Sequence, residues 1–163
     1  MKFYQLSRMS ILPIVPALDR LDATRTQPTP GEASASPSRD IRDEDLEALL
    51  VEFYAAIAKD ALLAPYFEAL DMTEHIPRIA DFWSTLLFHS GRYTGNAFRP
   101  HLEMPGLRTE HFERWLATLG ATLDVAYAGP NTERMKSFAH RVGYSMQLRL
   151  GIAPAAIYQI DPL

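Results

Sequence analysis

Five histidines carry the most versatile chemistry in this sequence, since a neutral imidazole can bind a metal or move a proton. They are His75, His89, His101, His111 and His140. No pair of them has the HExxH spacing of a zinc hydrolase, and no GxSxG elbow, Walker loop or GxGxxG turn is present. Cysteine is absent, which excludes disulfides and thiolate zinc sites. The motifs therefore indicate no hydrolytic or nucleotide chemistry.

Two of these histidines have informative surroundings. His75 precedes Ile79 by one helical turn and Trp83 by two, so it lies along an apolar stripe. His101 follows Pro100 in an irregular segment rich in glycine and proline. Taken alone, His75 is most simply a residue at the rim of the core, and His101 is most simply an exposed loop residue.

Tyr54 and Trp115 add two hydrogen-bond donors on apolar helical faces, and each donor needs a partner when buried. One interpretation is that the hydroxyl and the indole N–H reach backbone carbonyls or the edge of the protein. The other is that they converge on a bound polar ligand. Two donors, an inward-facing histidine and a second histidine on a loop are the groups that a haem pocket needs, because the iron takes one axial imidazole and donors on its opposite face stabilise a bound ligand.

Helices must position these residues, because apolar side chains recur at spacings of three and four and no alternating strand pattern is present. The first helix is expected to begin after Asp40 and to end near Asp60 to Ala64, before Pro65. The second is expected to begin near Thr73 and to end at Gly91. It tolerates Pro77 if that residue lies in the first turn, where backbone N–H groups have no helical partner.

Residues 89–107 are too rich in glycine and proline for a long helix, and loops of this length are uncommon unless they are functional. The third helix is expected to begin at Thr109 as its N-cap. Gly129-Pro130-Asn131 separates it from a fourth helix that ends at Gly151. The sequence therefore predicts an all-α core of four helices that are joined by one long loop.

Several short motifs follow one another along the chain in a specific order and spacing. They are Phe53-Tyr54; Pro65-Tyr66-Phe67; His75 followed at eight residues by Trp83 within Asp81-Phe82-Trp83; Tyr93-x-Gly95 leading to His101-Leu102; and Phe112-x-x-Trp115-Leu116. Together they make residues 44–150, about two-thirds of the chain, resemble the truncated haemoglobins. The other truncated groups carry paired glycines near helix junctions, and the absence of Gly-Gly here favours group III.

The resemblance implies a truncated globin fold, a helical sandwich around haem b. It implies that His101 is the proximal ligand to the iron, that Tyr54 is the main distal donor and Trp115 the second, and that His75 is the distal-helix residue nearest the ligand. Phe67 would pack against the haem face, and Phe53, Ile79 and Trp83 would line or support the pocket. The implied cofactor-binding residues are Phe53, Tyr54, Phe67, His75, Ile79, Trp83, His101 and Trp115.

The first 39 residues differ in composition from the rest, because residues 22–39 are rich in proline, serine, threonine and alanine. Such a segment cannot bury enough surface to fold, so we expect a disordered extension at 1–39, a globin domain at 40–153 and a C-terminal tail at 154–163. Residues 1–20 faintly resemble a signal peptide, but prolines interrupt them, so the cytoplasm is expected rather than export. No apolar run approaches the ~20 residues that cross a bilayer.

Three hypotheses for function remain open at this point. The first is a haem protein that reversibly binds dioxygen or another diatomic ligand. The second is a haem enzyme, either a nitric oxide dioxygenase or a peroxidase-like catalyst, which would need a separate reductase because the sequence carries no flavin or nicotinamide motif. The third is a haem-free helical interaction module with Tyr54 and Trp115 in its core. The formal charge of −4 argues against a nucleic-acid partner.

Overall fold

The computed structural model describes residues 39–152. This part of the chain contains four α-helices, α1 (Leu46–Ile57), α2 (Met72–Phe88), α3 (Thr109–Ala126) and α4 (Pro130–Arg149). Short 3₁₀ helices occupy Asp43–Asp45, Ala64–Tyr66 and Arg99–Glu103. No strand occurs among the described residues, so the predicted all-α class is confirmed. The predicted extension and tail lie outside the described residues, except for Arg39.

The four helices pack around one shared core. α1 contacts α2 and α3, α4 contacts α3, and α2 also contacts α4. The largest fully buried side chains include Phe53 on α1, Trp83 on α2 and Met135 on α4. None of the helices within residues 39–152 is long and apolar enough to cross a membrane.

α1 ends at Ile57, which is earlier than the sequence indicated. A turn follows in which the Asp60 carboxylate accepts hydrogen bonds from the backbone N–H groups of Leu62 (2.9 Å) and Leu63 (3.2 Å). Aspartate commonly stabilises turns in this way, because its side chain replaces the backbone partners that a helix would supply. The chain then enters the 3₁₀ helix Ala64–Tyr66.

α2 begins at Met72, where the Asp71 side chain caps the helix by accepting a hydrogen bond from Thr73 N–H at 2.9 Å. Pro77 is therefore the sixth helical residue, and the expectation that it lies in the first turn is wrong. Its missing N–H deprives the Thr73 carbonyl of its usual helical donor. The predicted end at Gly91 is also wrong, because the helix ends at Phe88 and His89 adopts the left-handed conformation with φ of 58°.

α3 includes Thr109 as its first helical residue, and the N-cap is Arg108 rather than Thr109 as predicted. His111 Nδ1 accepts a hydrogen bond of 3.1 Å from the N–H of the N-cap residue Arg108, so an imidazole on the third helical residue satisfies this backbone group. This side chain is only 6% exposed.

α4 is capped by a residue 91 positions earlier in the chain. The Asp40 carboxylate accepts hydrogen bonds of 2.8 Å from the backbone N–H groups of Asn131 and Thr132. Gly129 has a φ of 152°, and a Cβ built there would lie 2.5 Å from Asp40 Cβ. Only glycine therefore fits beside this carboxylate. α4 ends at Arg149, two residues before the predicted Gly151.

Candidate functional site

His101 lies in the 3₁₀ helix Arg99–Glu103 within the long segment between α2 and α3. Asn96 initiates this turn, because its side-chain oxygen accepts hydrogen bonds from the backbone N–H groups of Phe98 (3.0 Å) and Arg99 (3.2 Å). Arg92 anchors the start of the segment by pairing with carboxylates of Asp43 and Asp81. The segment between α2 and α3 is thus held in place on both sides of the motif that precedes His101.

The motif Tyr93-x-Gly95 has a steric basis. A Cβ on Gly95 would lie 2.8 Å from ring atoms of Tyr93, so the tyrosine ring packs directly on the glycine backbone. Any larger residue at this position would push the ring away from its contact with Phe82, whose ring centroid lies 5.3 Å from that of Tyr93. Glycine therefore permits the chain to fold closely against α2 before it reaches His101.

The His101 imidazole is held in one tautomer. Its Nδ1 lies 2.9 Å from the carbonyl oxygen of Ala97, and because a carbonyl only accepts, Nδ1 must carry the hydrogen. Burial lowers the pKa of this imidazole, although hydrogen bonding to the Ala97 and Phe98 backbone partly opposes that effect. The ring is therefore predominantly neutral at neutral pH, and its Nε2 has a lone pair that can bind a metal.

Tyr54 and His75 form a hydrogen bond between α1 and α2. His75 Nε2 lies 2.9 Å from the Tyr54 hydroxyl, and the two rings meet edge to face with centroids 5.1 Å apart. Burial raises the pKa of Tyr54, so the phenol stays protonated. Burial, together with the neighbouring Arg78 charge, lowers the pKa of His75. The pair consequently consists of a neutral phenol and a predominantly neutral imidazole.

Aromatic rings surround this pair. Phe53 packs edge-on against Tyr54 at 5.0 Å and against Trp115 of α3 at 5.4 Å. Phe67, which follows the 3₁₀ helix Ala64–Tyr66, lies 5.6 Å from the Tyr54 ring. Five of the residues singled out from the sequence are thus joined by ring contacts and one hydrogen bond into a single cluster, defined here as the aromatic cluster: Phe53, Tyr54, Phe67, His75 and Trp115.

Ile79 and Trp83 follow His75 on α2 but differ from each other in exposure. Ile79 is half-buried, whereas Trp83 is 1% exposed and packs against the Phe82 ring at 5.4 Å. Trp83 is therefore part of the hydrophobic core behind α2. Among residues 39–152, His101 makes no hydrogen bond or ring contact with the aromatic cluster, and it stands on a separate segment.

The remaining histidines have other environments. His89 and His140 are exposed, and His111 is buried at the start of α3, where it acts as a cap. No group of three or more His, Cys, Asp or Glu side chains that could hold a metal ion occurs within residues 39–152.

Sequence reasoning missed two participants in the site. The Ala97 carbonyl fixes the His101 tautomer, and Asn96 initiates the turn that carries it. A backbone carbonyl has no residue-type signature, so nothing in the sequence distinguished Ala97. The Asn-x-Phe spacing ahead of a proline was a signal for an Asx turn and could have identified Asn96.

Comparison with known proteins gives a consistent result. No family model matches the chain. The group 3 truncated hemoglobin ctb of Campylobacter jejuni subsp. jejuni serotype O:2 is 31% identical to this chain over 103 residues, which are 60% of this chain and 78% of that protein. A crystal structure of group III truncated hemoglobin from Campylobacter jejuni superposes with a TM-score of 0.64 at 28% identity, and the match covers 70% of this chain and 94% of that one.

The structural likeness identifies the class of fold as that of the truncated globins. Because the relative exceeds 30% identity and most of its length is matched, the family follows as well: the chain belongs to the group III truncated haemoglobins. The resemblance carried by the sequence motifs is thereby confirmed.

Proposed function

We propose that this protein binds haem b with His101 as the proximal ligand to the iron, and that it reversibly binds dioxygen or another diatomic ligand beside the aromatic cluster. Membership of the truncated haemoglobin family supports a globin-type haem protein. The observation that carries the proposal is the hydrogen bond from His101 Nδ1 to the Ala97 carbonyl, because it leaves Nε2 as an oriented ligand.

The residues present fit a haem. A haem would need one imidazole from the protein to hold its iron, which His101 would supply, and the iron would provide the binding site for a diatomic ligand. The large flat ring system needs apolar walls, and several half-buried apolar side chains packed against the core can supply them. They are Phe67, Met72, Ile76, Ile79, Phe82 and Trp115. In this proposal Ile79 lines the pocket directly, while the buried Trp83 and Phe53 support it from behind.

Tyr54 is proposed as the main donor to the bound ligand. Its hydroxyl is 2.9 Å from His75 Nε2, and this bond can run in either direction because the imidazole has two neutral tautomers. If Nε2–H donates to the phenol oxygen, the phenol hydrogen is left to donate to the ligand. If the phenol donates to Nε2, its only hydrogen is used. His75 therefore governs whether Tyr54 is available as a donor.

Trp115 is proposed as the second donor, through its indole N–H. Its ring is held edge-on by Phe53 at 5.4 Å, so it can rotate little without disturbing a fully buried side chain. An indole donates and cannot accept. A ligand oxygen that gains negative charge is thus favoured over a ligand that must itself donate a hydrogen bond.

The decisive experiment is an absorption spectrum of the full chain after titration with ferric haem. We expect a Soret band that saturates at one haem per chain, and protein purified with its own cofactor should give the pyridine haemochrome spectrum of haem b. Ferrous protein should form a reversible dioxygen complex. A chain that takes up no haem, or takes it up without a saturating stoichiometry, would contradict the proposal.

A further inference from the structure

Tyr66 joins two segments that lie far apart in the sequence. It ends the 3₁₀ helix Ala64–Tyr66. Its hydroxyl donates a hydrogen bond of 3.1 Å to the carbonyl oxygen of Pro105, which is 39 residues away. Pro105 follows His101 by four residues, immediately beyond the turn that carries the imidazole.

The same side chain makes two further contacts at this point. Its ring meets the buried His111 ring edge to face, with centroids 5.2 Å apart. Gly106 has a φ of 77°, and a Cβ built there would lie 3.7 Å from the Tyr66 hydroxyl. Tyr66 therefore packs against both the Pro105–Gly106 turn and the first turn of α3. These contacts restrict the rotation of its side chain and fix the position of its hydroxyl.

Each end of this connection leads to a proposed haem-site residue. At one end Phe67, the next residue after Tyr66, lies 5.6 Å from the Tyr54 ring, and its backbone N–H donates to Ala64 at 2.9 Å. At the other end the Met104 N–H donates to the His101 carbonyl at 3.3 Å. Tyr54 is thus connected to His101 indirectly, through one ring contact, two hydrogen bonds and the peptide bonds that join Tyr66 to Phe67 and Met104 to Pro105.

We propose that Tyr66 is a positioning residue whose hydrogen bond to Pro105 ties the aromatic cluster to the turn that carries His101 and so sets the orientation of that imidazole. This inference rests on the proposed role of His101 as the iron ligand. Without the Tyr66 hydroxyl, the Pro105 carbonyl would accept a hydrogen bond from water instead. The segment after His101 would then sample more conformations. The coupling acts on the orientation of the imidazole, so it is measured at the bond between His101 and the iron.

The experiment compares Tyr66→Phe with the unaltered full chain, using Tyr93→Phe as the matched control. The Tyr93→Phe variant also loses only a hydroxyl, and the Tyr93 hydroxyl donates no hydrogen bond within residues 39–152. In the haem-free protein, exchange of the Met104 amide hydrogen should be about two- to tenfold faster in Tyr66→Phe, since one neutral hydrogen bond is lost. In the haem-loaded ferrous protein, the iron–histidine stretching band in the resonance Raman spectrum should shift or broaden.

The control should leave both quantities unchanged. Haem uptake with an unshifted band in Tyr66→Phe would overturn the inference, even if Met104 exchanged faster, because Tyr66 would then hold the turn without orienting the imidazole. A shift of equal size in Tyr93→Phe would also overturn it. Failure of the unaltered chain to take up haem would instead contradict the proposed function, and the two failures are therefore distinguishable.

Discussion

The Tyr54 hydroxyl and His75 Nε2 are 2.9 Å apart, which links α1 to α2 at the centre of the aromatic cluster. Both groups are neutral, since burial raises the pKa of the phenol and lowers that of the imidazole. Either group can therefore be the donor. The consequence is that the two side chains must be treated as one unit, in which a change to the imidazole alters what the phenol can donate.

Removing the Tyr54 hydroxyl should speed dissociation of dioxygen from the haem-loaded protein. Bound dioxygen carries partial negative charge, and a hydrogen bond to such a group contributes roughly 1.5–3 kcal/mol. Tyr54→Phe keeps the ring contacts, so we expect dissociation to be faster by about ten- to a hundredfold or somewhat more, measured by stopped flow.

The hydrogen bond between Tyr54 and His75 leads to a second prediction, about how the effects of the two substitutions combine. His75→Leu alone should change the dissociation rate, but in a Tyr54→Phe background it should add little, because its effect acts through the phenol. Fully additive effects would show that the two residues act separately. If the Tyr54 hydroxyl proved silent while His75 carried the whole effect, the proposed distal roles would be wrong, although haem binding would stand.

His101→Ala should abolish stable haem retention or leave weakly bound haem with an altered spectrum, because the 3₁₀ helix Arg99–Glu103 contains no other histidine that could replace this ligand. His89→Ala is the matched control, since His89 is exposed. His111 is unsuitable as a second control, because it is buried and caps α3. Native spectra and unchanged haem transfer to an acceptor apoglobin in His101→Ala would leave His75 as the next candidate ligand.

The stability of the haem-free protein should fall as the pH falls below 6.5, the ordinary pKa of histidine. Burial lowers the pKa values of both His75 and His101 in the fold, so the unfolded chain binds protons that the folded chain does not. The loss of stability begins at the ordinary histidine pKa and continues as the pH falls to the lowered pKa values of the folded protein. Its slope is at most about 1.4 kcal/mol per pH unit for each histidine.

Urea unfolding at a series of pH values measures this slope directly. The double variant His75→Gln, His101→Gln should have a flatter profile between about pH 6.5 and 5, because neither glutamine titrates. An unchanged slope in the double variant would mean that other groups control the pH dependence in this range.

Asp40→Ala should destabilise the fold by about 0.5–2 kcal/mol, because it removes the cap of α4. Burial alone raises the pKa of Asp40, but hydrogen bonds from Asn131, Thr132 and Ile41 outweigh it and the pKa is lowered. The stabilisation is therefore present above the ordinary aspartate value of 3.8 and is lost as pH falls through the lowered pKa. Asp124→Ala, which breaks an exposed ion pair with Lys136, is the control and should cost less than about 1 kcal/mol. Equal losses in both variants would argue against a capping role.

The helices themselves could be predicted from the sequence, because amphipathic periodicity depends only on which residues are apolar. Their ends could not. His89 adopts a left-handed conformation usually taken by glycine, and the N-cap of α3 is Arg108, whose N–H donates to the His111 imidazole. The Asp40 cap of α4 depends on a contact between residues 91 positions apart, which no local pattern encodes.

For the candidate site, the residue types could be read from the sequence but their pairing could not. Whether Tyr54 meets His75 depends on the rotation of α1 and α2 about their axes, which is fixed by packing of the whole core rather than by either helix. The tautomer of His101 depends on a backbone carbonyl, and every residue has one. The sequence therefore shows which side chains could bind a ligand or a metal. Their pairing and their tautomers depend on the folded structure and cannot be predicted from the sequence.

His89→Gly should stabilise the protein, and Gly91→Ala should destabilise it. His89 has φ of 58° and ψ of 31° at the end of α2, a conformation that costs a residue with a Cβ about 1–2 kcal/mol. Glycine removes that strain but makes the unfolded chain more flexible, so the net gain should be about 0.5–1 kcal/mol. Gly91 also has a positive φ, of 69°, and an added Cβ there would touch nothing within 4 Å, so Gly91→Ala tests backbone strain without any steric clash. Urea midpoints should therefore move in opposite directions for the two variants, with unchanged m-values. A loss of stability in His89→Gly would mean that the imidazole makes a contact worth more than the strain it imposes on the backbone.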